Sequence, residues 1–538
     1  MKQLNTFSSL ALIFGSLLMA ANQPLRSAQD RPVRQAQGRP NVVFIFADDM
    51  GYGDVSGLNP KSHIQTPHLD RMIDEGMYFS DAHTSSSVCT PSRYSLLTGR
   101  YAWRTHMKSG VLAGVSPHLI DPDRMTVADV FKEAGYDTAL IGKWHLGMDF
   151  AFTGGEPAPK KGRHTIPDNI EWTQPIKNGP NANGFDYFYG MSASLDMPPY
   201  IYIENEAVIG LPTATKAFFR KGPAHPDFEA IDVMGEFTTR TVEYIETHAG
   251  DQPFFIYMPL TAPHTPVVPS KEFQGQSDLG AYGDFCMEVD WMVGQVIAAL
   301  EQKGILENTL VIFSADNGCS KAALRFAEDK MKLSPQTPES TAHHPSLIFR
   351  GSKSDNWEGG HRVPFIMQWP EGIQAGTHSD ALIGLTDFMA MAAELTGVEI
   401  PSDAAEDSLS FLPALNGGPI DLSKREGIVH HSVSGHFAIR RGDWKLILTP
   451  GSSGWTSPTD QEAAEQGLPE VQLYNLAEDP SETNNLQAQY PEGVHTLAAL
   501  LNTYIESGVS VKGKTGSNDP LEKQRWTQLE SIKSILQN

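Results

Sequence analysis

Val42-Val43-Phe44-Ile45-Phe46, running on into Ala47-Asp48-Asp49, is the stretch that decides the fold. A continuous apolar run rich in β-branched and aromatic residues suits a strand buried on both faces of a parallel sheet. The same grammar recurs. Phe254-Phe255-Ile256-Tyr257-Met258 emerges at Ala262-Pro263-His264-Thr265-Pro266, and Leu310-Val311-Ile312-Phe313 ends in Ser314-Ala315-Asp316-Asn317-Gly318. Each run delivers polar, reactive residues at its carboxyl end, where open α/β sheets bind ligands. A shorter strand, Thr138 to Gly142, delivers Lys143-Trp144-His145. Helical patterns alternate with these runs. Thr66-Pro67 opens one through Leu69, Met72 and Ile73; Thr126 to Asp129 caps another ending near Gly135; a long amphipathic one spans about Tyr282 to Lys303. The expected fold is α/β, with a large, mostly parallel central sheet flanked by helices and a smaller α+β C-terminal part.

The 538-residue chain is long enough for that pair, and its formal net charge of −23 argues against a nucleic acid partner. An anionic substrate would have to be held by local cations. Lys2, the apolar run Leu10 to Met19 and the small pair Ala20-Ala21 read as a secretory signal peptide over residues 1–21, too short to span a membrane. The expectation is therefore an exported protein, periplasmic or secreted. Residues 22–40, rich in Gln, Arg, Ala and Pro, read as a flexible leader. The large domain is placed at 41–425 and the α+β part at 426–538, with strands at Ile428 to Val433, Phe437 to Arg440 and Trp444 to Leu448 and a helix near Glu492 to Ser507. Residues 150–230 carry many Gly, Pro, Asn and aromatic residues, and read as an elaborated loop region over a site, with Tyr200 and Tyr202 near Asp196 expected to shape a leaving-group pocket. Three cysteines, Cys89, Cys286 and Cys319, are too few for a disulfide framework, and sequence leaves open whether the last two pair.

Cys89 lies between a serine-rich loop and an apolar-periodic run, with Pro91 at a first-turn position and Gly99 where a C-cap falls. A helix starting there aims free N–H groups and its positive end at whatever residue 89 binds, and Arg93 adds charge one turn on. The ordinary fate of a lone cysteine is structural burial. Asp48, Asp49, Asp316 and Asn317 are hard oxygen donors on two strand ends, suited to Ca²⁺ or Mg²⁺ rather than zinc. Lys143 and His145, two apart on an extended segment, face one side, and with Arg93, His264 and Lys353 would form a cationic cluster able to neutralise an anion and supply acid and base.

The run Cys-Thr-Pro-Ser-Arg at 89–93 followed by Leu-Thr-Gly-Arg at 97–100 resembles the signature of the type I sulfatases, of the alkaline phosphatase superfamily. The resemblance spans about Asn41 to Pro370 and takes in Gly-Lys-Trp-His-Leu-Gly at 142–147, Pro-His-Thr-Pro at 263–266 and Lys353 ahead of Glu-Gly-Gly. It implies an alkaline-phosphatase-like fold and hydrolysis of sulfate esters, for an exported enzyme those of a sulfated saccharide. It further implies that a formylglycine-generating or equivalent maturating enzyme oxidises Cys89, whose hydrate is the nucleophile. One Ca²⁺ would rest on Asp48, Asp49, Asp316 and Asn317, with the modified Cys89 as a further ligand. Arg93 would orient the diol and Lys143 and Lys353 would take sulfate oxygens. His145 would remove the second proton, and either His264 or Lys353 would be the general acid. A dinuclear zinc phosphatase would be expected to show His where Asn317 stands. His361 departs from the family pattern and receives no role. Two alternatives stand beside this reading: a phosphonate monoester or phosphodiester hydrolase with the same nucleophile, and an inactive carbohydrate-binding relative, against which the intact Cys89, Arg93 and oxygen ligands argue.

Overall fold

The computed structural model describes residues 38–158, 162, 164–250, 252–326, 331–332, 341–520 and 526–537. The expected signal peptide, and the leader up to residue 37, lie outside the described residues. The stretch Asn41–Asp48 is a strand whose residues after the first are all buried, as an apolar run covered on both faces requires. It pairs in parallel with Phe254–Pro263 on one side and Thr309–Ala315 on the other. Phe254–Pro263 continues in parallel to Asp137–Lys143, and that strand to Tyr187–Met191. These five form the centre of a ten-stranded sheet, whose remaining strands lie at its two edges. Helices Val233–His248 and Gly280–Gln302 pack on one another and on Phe254–Pro263, while Val127–Glu133, Phe388–Thr396 and Cys89–Thr98 form a second mutually packed group. Among the described residues no helix is long and apolar enough to cross a membrane.

The expected mostly parallel sheet flanked by helices is what the chain adopts, and the caps fall where the pattern places them. Pro67 opens the helix Pro67–Glu75, and the Thr126 side chain accepts from the Asp129 N–H in a reciprocal capping box. Residues 150–230 depart from the loop expectation. They contribute Tyr187–Met191 to the parallel centre, Tyr202–Glu204 and Ala207–Ile209 to one edge, and a separate hairpin of Ala214–Ala217 with Lys221–Ala224. The strand is masked in sequence by Gly190, at which a Cβ would sit 1.8 Å from the carbonyl oxygen of Gly142 on the neighbouring strand. Close strand approach demands a glycine there, and the glycine interrupts the apolar pattern.

The C-terminal part is a four-stranded antiparallel sheet, Ile428–His431, Phe437–Arg441, Trp444–Ile447 and Gln472–Asn475. Helix Pro491–Ser507 packs on it, and their shared core includes Tyr101 and Trp103 from the larger part. Cys286 and Cys319 are buried free thiols. Gly99 ends the Cys89–Thr98 helix at φ 63°, and a Cβ there would meet Ala405 at 2.9 Å. Gly99→Ala is therefore expected to destabilise the fold by about 1–3 kcal/mol, read as a lowered denaturation midpoint. An unchanged midpoint would refute this account of the helix end.

Candidate active site

Parallel pairing sets Ala47 opposite Ala315, so Asp48-Asp49 and Asp316-Asn317 leave adjacent strands side by side. Asp49 takes a left-handed φ of 70°, and its N–H donates to Asp316 Oδ1 at 3.1 Å. Asn317 Nδ2 donates to Asp49 Oδ1 at 2.8 Å. Cys89 opens its helix with no side chain capping the end, as the sequence predicts, and its Sγ lies 3.6 Å from Asp48 Oδ1. Lys353 Nζ stands 3.4 Å from that sulfur and 2.6 Å from Asp49 Oδ1. Lys143, the last residue of its strand, places Nζ 2.6 Å from Asp48 Oδ2. Arg93 reaches Asp316 Oδ2 through Nε at 3.0 Å and Nη2 at 2.7 Å, and comes within 3.5 Å of Asp48 Oδ1. His264, just past its strand, puts Nε2 3.7 Å from Asp49 Oδ2, with Nδ1 against Thr265 O at 2.6 Å and Ser194 Oγ at 3.3 Å. His145 directs Nε2 to Leu112 O at 3.0 Å.

Charge balance and burial pull the members of this cluster in different directions. Burial alone would raise Asp48, but Lys143, His264, Arg93 and Lys353 hold it well below the usual carboxylate range. Asp316 is pushed up by burial and by neighbouring Asp48, against Arg93. Burial also lifts the Cys89 thiol above its ordinary value despite Lys143 and Lys353, so an unmodified Cys89 is a protonated, sluggish nucleophile. His145 is held well below the usual imidazole range by burial and by Lys143, which leaves it a neutral base. Four buried polar atoms of these residues have no hydrogen-bond partner: Asp49 Oδ2, Asn317 Oδ1, Arg93 Nη1 and His145 Nδ1. Two are acceptors that want a cation, while the Arg93 guanidinium also has the Tyr257 hydroxyl beside it. Hard oxygens from Asp48, Asp49, Asp316 and Asn317 fit a Ca²⁺-type ion, and Asp48, Asp49, Cys89 and His264 bring ligand atoms within 4.8 Å of one another.

Residues 40–398 match the family model described as Sulfatase, and residues 353–507 the one described as N-sulphoglucosamine sulphohydrolase, C-terminal. The chain belongs to the sulfatase family. It is 32% identical over 504 residues to an N-acetylgalactosamine-6-O-sulfatase of Bacteroides thetaiotaomicron, covering 86% of this chain and 93% of that one. To the mouse N-acetylgalactosamine-6-sulfatase it is 30% identical, covering 82% and 81%. A solved structure concerned with metabolism of multiple glycosaminoglycans by Bacteroides thetaiotaomicron superposes with a TM-score of 0.72 at 31% identity, covering 86% of this chain and 99% of that one. The activity is that of a sulfuric ester hydrolase, on an alkaline-phosphatase-like fold.

In this sulfatase every sequence-predicted residue of the charged centre converges, whereas the tyrosines do not line a pocket. Tyr200 is wholly buried against Phe218 and Phe228, and Tyr202 packs among Tyr189, Phe228 and Phe237. At these two positions the aromatic rings build a small core. What sequence reasoning passed over is Arg220, which pairs with Asp196 beside His264.

His361 acquires a structural place. Its Nδ1 lies 3.0 Å from His83 Nδ1 and its Nε2 3.0 Å from Lys445 Nζ, while His83 Nε2 reaches Asp81 at 2.8 Å. Glu358 binds Lys445 at 2.9 Å and Arg362 at 3.2 Å. Although His83, His361 and His430 come close enough to suggest a metal, the His361 and His430 rings stack at 3.9 Å and 9°. Ligating lone pairs lie in the ring plane, so two parallel stacked rings cannot aim at one ion. The network is a buried polar seam between the two sheets.

Strand Ile428–His431 stitches the catalytic loops together. His431 N–H donates to Ser85 O at 3.1 Å, Ser354 N–H to Ser87 O at 2.8 Å, and Val433 N–H to Ser354 O at 3.1 Å. The fully buried His431 has its imidazole lowered to about 4 by burial. A base whose folded value is depressed costs stability once pH drops below its unfolded value of about 6.5, because only the unfolded chain then takes the proton. Compared with His431→Gln, the wild-type protein should lose about 2 kcal/mol more between pH 7 and pH 5. Denaturant unfolding of both proteins at the two pH values checks this, and parallel losses would contradict it.

Proposed function

We propose that this sulfatase is an exported enzyme that removes sulfate from a saccharide, with formylglycine made from Cys89 as nucleophile and Ca²⁺ as resident metal. The observation that carries the reading is the pair of partnerless buried acceptors beside Cys89, Asp49 Oδ2 and Asn317 Oδ1, in a centre that also holds Lys143 and Lys353. A cation would satisfy the acceptors, and the lysines leave the centre able to take an oxyanion. The saccharide rests on the relatives named as N-acetylgalactosamine-6-sulfatases, which makes 6-sulfated N-acetylgalactosamine the first substrate to try. Export rests on the apolar run Leu10 to Met19 behind Lys2.

Asp48, Asp49, Asp316 and Asn317, with residue 89, would hold the calcium, which when bound supplies positive charge favouring an ionised hydroxyl at position 89. A geminal diol there offers what a thiol or serine lacks: a second hydroxyl whose deprotonation expels sulfate and restores the carbonyl, so no water need attack sulfur. Arg93, paired with Asp316, would orient the diol, and Lys143 and Lys353 would take sulfate oxygens. His145, neutral and with Nδ1 unpartnered, takes the second hydroxyl's proton. His264, less enclosed than the lysines, gives a proton to the departing sugar oxygen.

Mass spectrometry of the tryptic peptide ending at Arg93 should show the Cys89 sulfur replaced by oxygen in active preparations, with activity tracking conversion. Full activity with an intact thiol would overturn the mechanism. Asn317→Ala should lower bound calcium and kcat together, the latter by about 100-fold or more. Two zinc ions per chain in the native protein would sink the metal assignment. Turnover of a nitrophenyl phosphodiester above that of nitrophenyl sulfate would favour the phosphodiester hydrolase instead, and retention in the cytosol of the producing cell would refute export.

A further inference from the structure

We propose that Asp196 and Arg220 form the subsite that reads free hydroxyls on the sugar ring bearing the sulfate, an inference that rests on the saccharide reading above. Asp196 lies just past the carboxyl end of Tyr187–Met191, the strand at one end of the five parallel ones. It is thus delivered by the same rule of topology that delivers the charged centre. Its side chain is only 8% exposed, yet Oδ1 has no hydrogen-bond partner, while Oδ2 is taken by the Arg220 guanidinium. An ionised oxygen buried without a donor is costly enough that such a group calls for a ligand or a water.

The neighbourhood says which ligand. Ser194 Oγ sits 3.3 Å from His264 Nδ1, so the segment carrying Asp196 runs beside the imidazole that faces the leaving group. Burial would raise the Asp196 carboxyl, and His264, Arg220 and Lys143 hold it low. Arg220 sits between the paired strands Ala214–Ala217 and Lys221–Ala224. Its carbonyl accepts from the buried Tyr200 hydroxyl, so its backbone is pinned, while its side chain remains 31% exposed. Next to it Phe219 is 57% exposed, with the guanidinium 5.2 Å from its ring centre. A carboxylate that accepts, a guanidinium that donates and an open aromatic face match a sugar: two neighbouring hydroxyls for the pair and a C–H face for the ring. A flat aryl leaving group offers none of the hydroxyls.

The test compares Asp196→Asn and Arg220→Gln with wild type on 6-sulfated N-acetylgalactosamine and on nitrophenyl sulfate. Each variant should lose about 100-fold in kcat/KM on the sugar and less than about threefold on the aryl ester. Substrates lacking one ring hydroxyl should be poor for wild type and no poorer for Asp196→Asn. Equal losses on both esters, or a displaced pH profile, would show that Asp196 acts through His264 and overturn the proposal, as would an unchanged sugar rate. Should Asp196→Asn not fold, Arg220→Gln and the deoxy sugars with wild type decide by the same criteria. Wild-type turnover of the aryl ester with none of any sulfated sugar would fail the saccharide reading itself and this inference with it; sugar turnover with unselective variants would fail this inference alone.

Discussion

Asp48, Asp49 and Asp316 are buried within the spacing of two paired strands, and that is possible only because Arg93, Lys143 and Lys353 are buried with them. Like charges brought together in a low-dielectric interior repel strongly, and desolvating each is costly in its own right. The compensating cations come from three separate places: the helix behind Cys89, the end of Asp137–Lys143, and the loop at residue 353. Electrostatics therefore ties together segments far apart in the chain, and the site assembles only if the sheet, the helix and the loop are all in register. Stability and chemistry share one constraint here. The lysines that neutralise the carboxylates are the ones positioned to meet an incoming anion.

A second buried charge network sits between the large sheet and the C-terminal one. Glu358, Asp81, Lys445, Arg440 and Arg362 exchange ion pairs there, with His83 and His361 threaded through them. Burial raises Glu482 to about 7 even with Lys445 at 2.8 Å, and neighbouring Glu358 adds to the rise. The loop bearing Lys353 lies between the two networks. Lys353 is drawn to Asp49 and Cys89, while Glu358, a few residues on, anchors to the C-terminal sheet. The smaller part thus acts as a buttress for a catalytic lysine. Its strand Ile428–His431 also bonds directly to the loop that leads into Cys89.

The charged centre was readable in sequence for a definite physical reason. Strands buried on both faces write long apolar runs, and a parallel sheet puts their carboxyl ends on one edge, so Asp48-Asp49, His264, Lys143 and Asp316-Asn317 announce both the strand and the site. Cys89 was readable because helix caps are local chemistry. Lys353 has no strand behind it and was found only through the resemblance around Glu-Gly-Gly. What stayed hidden depends on contacts between distant segments. Tyr187–Met191 is disguised by the glycine its neighbour requires, and the Gln472–Asn475 strand sets only two apolar residues between polar ends. His361 has meaning only beside His83, which lies 278 positions away. Arg220 has meaning only beside Asp196, whose own segment looked like loop.

The uneven legibility has a chemical side. Holding an anion beside a metal calls for many charged residues on strand ends, and charge beside an apolar run stands out. Distinguishing one sugar from another calls for a few hydrogen bonds at the rim, placed by backbone that need not be regular. The sugar subsite we propose and the charged centre share one edge of one sheet. Four of the five parallel strands carry the charged centre, and the fifth, Tyr187–Met191 at one end of the set, runs on to Ser194 and Asp196. His264 stands between them, touching Ser194 with one nitrogen and facing Asp49 with the other. A proton donor to a leaving group has to occupy that boundary, because the bond that breaks joins the sulfate held on one side to the sugar read on the other.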